Sequence, residues 1–144
     1  MNDVSSKKKK STVRANIGKN RLYVSLAESI SKEDIDSIYT EIRFCVSDLS
    51  SGFDVITDLT NAKLGHLIGV NVFRKIAQFL QNQGVNRIIR VTPQKSIIAK
   101  QLAHLSAKIP GYSVEYKSSI EEAEELLDSQ SGMAPEQKSA AGGV

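Results

Sequence analysis

The first part of the chain shows the alternation of apolar and polar positions that is typical of β-strands. Residues 12–17 alternate, residues 18–20 are of the types that form turns, and residues 21–26 alternate again. The apolar residues of the second segment would share one face of a strand. The pattern predicts an opening β-hairpin.

Beyond the hairpin, apolar residues recur at three- and four-residue spacing in segments that alternate with short strands. The first predicted helix begins after the N-cap Ser31 and ends before residues 50–52. The remaining predicted elements are a strand at 53–59, a helix from about 70 to 82 closed by Gly84, a strand at 85–91, a helix from about 94 to 108, a strand at 112–116, and a helix opened by a capping box of Ser119 and Glu122.

This order, ββαβαβαβα, predicts an α/β sandwich. Strands joined through helices imply a mostly parallel sheet, and the hairpin adds an antiparallel edge at its N-terminal side. Ligands of such sheets tend to bind at the loops that follow the carboxyl ends of the parallel strands. In this sequence those loops are residues 58–69 and 92–96.

The chain is long enough for one core, because 144 residues of which 40% are hydrophobic cannot fill two. We assign this domain to residues 12–128. Residues 1–11 are a basic tail with four consecutive lysines, and residues 129–144 are small and rich in Gly, Ala and Ser, so both tails are predicted to be disordered. The start lacks the apolar stretch of a signal peptide, and no segment is apolar enough to span a membrane, which predicts a cytoplasmic protein.

Charge is distributed unevenly along the domain. From Leu59 through Val114 there is no Asp or Glu, and the eight basic residues of that segment are Lys63, Arg74, Lys75, Arg87, Arg90, Lys95, Lys100 and Lys108. The segment is expected to present a positive surface to an anionic partner, which could be an acidic protein face, a nucleotide phosphate or a lipid headgroup. The alternative is a face that is simply solvated.

No arrangement of residues in the sequence indicates catalysis. His66 and His104 have no neighbouring nucleophile or orienting acid, and with the single Cys45 they do not form the spacing of a zinc site. We therefore expect no catalytic residue, no metal and no cofactor. Nucleic acid is not the expected partner, since only the N-terminal lysines would attract it and an aromatic content of 6% offers no base-stacking platform.

Four segments, by their order and spacing, resemble the STAS family, which includes bacterial anti-sigma-factor antagonists and the cytoplasmic domains of sulfate transporters. They are residues 53–61 (FDVITDLTN), the helix entry at Gly69, residues 90–93 (RVTP) and residues 119–127 (SIEEAEELL). The resemblance covers about residues 12–128 and is greatest with a divergent branch of small stand-alone proteins. It implies the STAS-like fold and a regulatory function through protein–protein interaction in bacterial signalling.

Phosphoregulated members of that family carry an acceptor serine in an Asp-Ser-Ser-Gly loop at a helix N-terminus. The matching residues here are His66, Leu67, Ile68 and Gly69, so the glycine is present and the acceptor hydroxyl is not. The resemblance therefore implies a member that is not switched by phosphorylation at this position, although Thr60 could be a displaced acceptor.

We expect a non-catalytic interaction module that binds the acidic surface of a protein partner through the two loops and the second predicted helix. The expected partner-binding residues are Asp58, Thr60, Asn61, Lys63, His66, Leu67, Ile68, Gly69, Arg74, Lys75, Arg90, Thr92 and Lys95. A purely structural role is also possible for Asp58, because the short polar side chains of Asp-Leu-Thr-Asn can hydrogen-bond their own backbone in a loop. The alternative function is the binding or transport of a small lipid or nucleotide in a crevice between the second and third helices.

Overall fold

A computed structural model describes residues 10–62, 70–92 and 96–130, so the predicted tails lie almost entirely outside the described residues. The strands are β1 (Thr12–Asn16), β2 (Arg21–Ser25), β3 (Asp54–Asp58), β4 (Ile88–Val91) and β5 (Glu115–Lys117). The helices are α1 (Lys32–Val46), α2 (Val70–Asn82), α3 (Ile97–Ala107) and α4 (Ile120–Gln130).

The five strands form one sheet in the order β1-β2-β3-β4-β5. β1 pairs antiparallel with β2, and β2 through β5 pair in parallel. The predicted α/β fold class and the element order ββαβαβαβα are therefore confirmed. Because the parallel strands point the same way, Ser25, Asp58, Val91 and Lys117 are in register at a common edge of the sheet.

Both faces of the sheet are covered. On the first face, β2, β3 and β4 pack with α1 and α2 in a cluster that contains Leu22, Val24, Ile38, Ile42, Val46, Phe53, Val55, Leu80 and Ile88. On the second face, a cluster joins the sheet to α4 through Ile56, Ile89, Val91, Ala123 and Leu127. Val55 and Ile56 are neighbours in β3 and belong to different clusters, as the alternation of side chains along a strand requires.

The last strand differs from its prediction. It was predicted at residues 112–116, whereas β5 is Glu115–Lys117. Only these three residues pair with β4, while Tyr112 and Val114 pack against the cluster on the first face. Tyr112 and Val114, whose apolar character suggested a strand, therefore belong to the core-packed segment that precedes β5.

Side chains at the helix starts also refine the predicted boundaries. Ser96 caps α3, which begins at Ile97, three residues later than predicted. At α4 the Ser119 hydroxyl accepts a hydrogen bond from the Glu122 N–H at 3.1 Å, as predicted. The Glu122 carboxylate, however, accepts from the N–H and hydroxyl of Ser118 instead of Ser119. Of the two hydrogen bonds of the predicted capping box, only the one to the Ser119 hydroxyl is therefore present.

Ion pairs as well as packing hold α4 on the second face. Arg21 of β2 is 2% exposed and pairs with Glu124 and Asp128, the latter at 3.1 Å. Glu124 also accepts a hydrogen bond of 2.7 Å from the Tyr23 hydroxyl. A guanidinium in the interior needs counter-charges, because an isolated buried charge carries a large desolvation penalty. These contacts therefore fix α4 relative to β2.

Two glycines with left-handed backbone conformations lie side by side after α1 and α2. Gly52 has φ +91° with no atom within 4 Å of the place a Cβ would take, whereas Gly84 has φ +86° and a Cβ there would collide with Ser51. The Gly52 N–H donates to the Gly84 carbonyl oxygen at 2.7 Å. Both positions would strain the backbone of any other residue, but only Gly84 would also bring a side chain into steric contact.

Gly84→Ala should lower the free energy of unfolding by about 2 kcal/mol, because the added Cβ forces the exposed Ser51 side chain to move and also carries the strain of a positive φ. Gly52→Ala, the matched control, should lower it by about 1 kcal/mol, since it introduces strain alone. Urea unfolding followed by circular dichroism measures both. Combining Gly84→Ala with Ser51→Gly should recover most of the difference, and equal losses in the two single variants would contradict the collision with Ser51.

Glu124→Ala should lower the free energy of unfolding by about 2 kcal/mol, less than for a fully buried pair because Asp128 still faces Arg21. The control is Glu125→Ala, an exposed acid on the same helix, whose effect should stay within about 0.5 kcal/mol. Chemical denaturation of both variants tests this. A Glu124 variant as stable as the Glu125 variant would mean that packing alone holds α4.

Candidate functional site

Asp58 ends β3 at the edge where the parallel strands finish. Its Oδ1 accepts a hydrogen bond of 2.9 Å from the Thr60 N–H and another from the Thr60 hydroxyl. Because the carboxylate is engaged within its own turn, the geometry favours the structural role of Asp58. Thr60 and Asn61 are exposed. The hydroxyl of Thr60 lies against a negative charge, which opposes the addition of a phosphate there.

Part of the predicted partner-binding site lies outside the described residues. These positions are Lys63, His66, Leu67, Ile68, Gly69 and Lys95. Thr92 is described, is half-buried at the end of β4, and donates its N–H to the Lys117 carbonyl oxygen at 3.1 Å. The described part of the predicted binding site therefore consists of residues in or next to β3, α2 and β4.

Arg74 and Lys75 are exposed on α2, in line with the exposed polar residues Asn71, Gln78 and Asn82. The spacing of three to four residues places all five on one side of the helix. We call these five residues the α2 stripe. In the described part of the chain, neither cation forms an ion pair. The stripe therefore carries two positive charges that no neighbouring carboxylate neutralises.

The structure divides the predicted positive surface. Six of its eight basic residues are described, and four of those six are exposed: Arg74, Lys75, Lys100 and Lys108. Arg87 instead makes two hydrogen bonds of 2.8 and 2.6 Å to the Glu115 carboxylate, and this guanidinium lowers the pKa of Glu115 below its ordinary value. The positive charge of Arg87 is therefore neutralised within the fold by a carboxylate of β5.

Arg90 does not belong to the positive surface. It is 3% exposed, and it shares the first face of the sheet with Ile88, two residues earlier in β4. Its guanidinium donates to the Ser106 hydroxyl at 2.8 Å and to the Tyr116 hydroxyl at 3.1 Å, and lies 5.7 Å from the ring centroid of Phe73. The expectation that Arg90 is exposed to a partner is therefore wrong, because strand alternation turns it inward.

Arg90 contributes to the wall of a cavity of about 100 Å³ between the sheet and α1, α2 and α3, which we call the Arg90 cavity. Eleven of the fourteen described residues that line it are Leu, Ile, Val or Phe, and the other three are Thr57, Arg90 and Tyr112. Pockets for drug-sized ligands measure about 300–1,000 Å³. A crevice near α2 and α3 was the alternative site for a lipid or nucleotide, and this cavity is too small to enclose either.

Cys45 and His104 are the cysteine and the histidine among the described residues. The Cys45 thiol is half-buried, 3.8 Å from the Val13 carbonyl oxygen, and burial raises its pKa. His104 is exposed on α3. Over the described ranges, no three His, Cys, Asp or Glu side chains are grouped as a metal ion would need. Nor does any helix in those ranges have both the length and the apolar character needed to cross a membrane.

A comparison with models of known protein families finds no match for this chain. A comparison with curated proteins finds none either. The resemblance to the STAS family therefore stays a prediction, and function has to be argued from the geometry.

The hydroxyl groups around Arg90 were not anticipated from the sequence. Ser106 is 16 residues away and Tyr116 is 26 residues away, so no local pattern joins them to Arg90. One signal was present in the sequence, because Arg90 is two residues from the apolar Ile88 and alternation along a strand places both on the same face. The prediction for Arg90 was based on the acid-free charge pattern and did not use this alternation.

Asp58→Ala should lower the free energy of unfolding by about 1 kcal/mol, since two hydrogen bonds of the turn are lost. Asn61→Ala, at an exposed position three residues later, is the control and should change it by less than about 0.5 kcal/mol. Thermal and urea unfolding measure both. Unchanged stability of the Asp58 variant would return this carboxylate to the candidates for a functional group.

Proposed function

We propose that the protein is a non-catalytic interaction module of the STAS type, which acts in the cytoplasm and binds the acidic surface of a protein partner. The contact would be formed by the α2 stripe together with Thr60 and Asn61, which follow β3. The observation that carries the proposal is the exposed pair Arg74 and Lys75 on a helix without any acidic residue.

The charges of this surface are not cancelled locally. α2 and α3 together expose Arg74, Lys75 and Lys100, and neither helix contains an acid. Uncancelled surface charge attracts and orients an oppositely charged partner, and this acts mainly on the association rate. An acidic partner would therefore approach this side of the molecule first.

The distribution of acids supports a directional contact. α4 has five acidic residues and no basic ones, and it packs on the second face of the sheet. α2 and α3 lie on the first face together with α1, which carries charges of both signs. An acidic partner is attracted to the α2 stripe and repelled from α4, so charge alone restricts its orientation.

In this proposal, the chain lacks the phosphorylation switch of phosphoregulated STAS proteins. Leu67 stands where those proteins carry the acceptor serine. The Thr60 hydroxyl, the displaced candidate, donates to the Asp58 carboxylate. We therefore propose a contact that is not switched by a phosphate on this chain.

Replacing Arg74 and Lys75 together by Glu should weaken binding of a partner isolated with the unmodified protein by about tenfold or more, mainly through slower association. The physical reason is that local attraction becomes repulsion. Surface plasmon resonance with the purified partner measures both rate constants. For the unmodified protein, the association rate should also fall as salt is added.

The matched control is Lys32→Glu with Arg43→Glu, which makes the same change of net charge at two exposed positions of α1. Its affinity for the partner should stay within about twofold of the unmodified value, because it leaves the α2 stripe intact. If the α1 variant binds as weakly as the α2 variant, total charge rather than the stripe governs binding. If neither variant is affected, the contact is elsewhere and the proposal is wrong.

A further inference from the structure

Arg90 is a buried cation whose described partners are all uncharged. Its guanidinium donates to the hydroxyls of Ser106 and Tyr116 and lies near the ring of Phe73. Within the described part of the chain, no carboxylate pairs with it. It also lies inside the long segment from residue 59 to residue 114 that has no Asp or Glu.

Arg21, the other arginine that is buried in the described part of the chain, differs from Arg90 because carboxylates neutralise its charge. It is 2% exposed and pairs with two carboxylates of α4. An arginine keeps its charge in proteins, and an interior charge without a counter-charge carries a large desolvation penalty. Hydroxyl dipoles and an aromatic ring reduce this penalty for Arg90 but supply no negative charge. Arg90 is therefore suited to receive an anion.

The Arg90 cavity lies beside this charge, because the Phe73 ring near the guanidinium also lines the cavity. A water molecule occupies about 30 Å³ of liquid, and a cavity of about 150 Å³ binds benzene, which has six non-hydrogen atoms. A volume of about 100 Å³ therefore suits a ligand of about three to four non-hydrogen atoms. The Leu, Ile, Val and Phe side chains of its wall favour a ligand with an apolar part.

Two hydroxyl groups of the wall add hydrogen-bonding capacity. Thr57 and Tyr112 both line the cavity. Burial raises the pKa of Tyr112, although the positive charge of Arg90 acts in the opposite direction. The Tyr112 hydroxyl therefore stays protonated at neutral pH and can donate to an anion.

We propose that the Arg90 cavity binds a small carboxylate of the size of acetate, which has four non-hydrogen atoms. The carboxylate would pair with the guanidinium of Arg90, which matches it in charge and planar geometry. The methyl group would lie against the apolar side chains of the sheet and the three helices. This site goes beyond the proposed docking function, which uses the exposed α2 stripe.

The first experiment measures the thermal unfolding midpoint of the unmodified chain with sodium acetate, with ethanol and with sodium chloride at matched ionic strength. Acetate well above its Kd should raise the midpoint by about 3 °C or more, because it binds only the folded state. Ethanol and chloride should not. No rise with acetate, or an equal rise with ethanol, overturns the proposal.

A series of carboxylates from acetate to octanoate tests the size of the site. Affinity, measured by isothermal titration calorimetry, should be greatest at acetate, because the volume of about 100 Å³ leaves no room for a longer chain. Affinity that keeps rising to octanoate would overturn the assignment to a small ligand and favour a lipid acyl chain instead.

Variants locate the site. Arg90→Gln should bind acetate at least about tenfold more weakly, whereas Arg43→Gln, which neutralises an exposed arginine on α1, should bind it unchanged. If Arg90→Gln does not fold, Val24→Ile provides the test, since one added methylene in the wall should reduce the space for acetate and weaken its binding. Unaltered acetate affinity in Val24→Ile would place the ligand outside this cavity.

The variant with Arg74 and Lys75 replaced by Glu separates this inference from the docking function. It should lose affinity for the protein partner and keep its affinity for acetate, because Arg74 and Lys75 are exposed whereas Arg90 is buried. Loss of acetate binding in that variant would show that the anion sits on the α2 stripe, and would overturn the cavity site alone.

Discussion

The structure depends on covering a largely parallel sheet on both of its faces. α1, α2 and α3 share the first face, whereas among the described elements α4 alone packs on the second. Parallel sheets are stable in water when neither face is left open, because their strands are apolar on both sides. The pairing of Arg21 with α4 therefore has an architectural role, since it secures the helix that closes the second face.

The two buried arginines show how the same residue type acquires different roles from its place in the sheet. Arg21 lies on the second face, where acids of α4 neutralise it. Arg90 lies on the first face, where α2 and α3 bring no acid and only hydroxyl groups reach it. The absence of acids that leaves the α2 stripe positive outside also leaves Arg90 without a counter-charge inside. One compositional feature thus underlies both the proposed docking surface and the proposed anion site.

Local signals predicted a large part of the fold. Two-residue alternation indicated the hairpin, Ser31 indicated the start of α1, and Gly84 indicated the end of α2. Each of these signals acts within a few residues, through strand geometry, a capping hydrogen bond or a backbone conformation. Where the prediction departed from the structure, as at β5, the segment contains apolar residues whose packing partners lie far away in the chain.

The sequence by itself determined the class of fold and the existence of an acid-free basic segment, because both follow from the order of residue types along the chain. Only the tertiary structure decided which of those basic residues faces a partner. It exposed Arg74, paired Arg87 with Glu115 and buried Arg90 against Ser106. The physical reason is that burial and pairing are set by residues brought together through the sheet, from separations of 16 to 28 positions that no local pattern records.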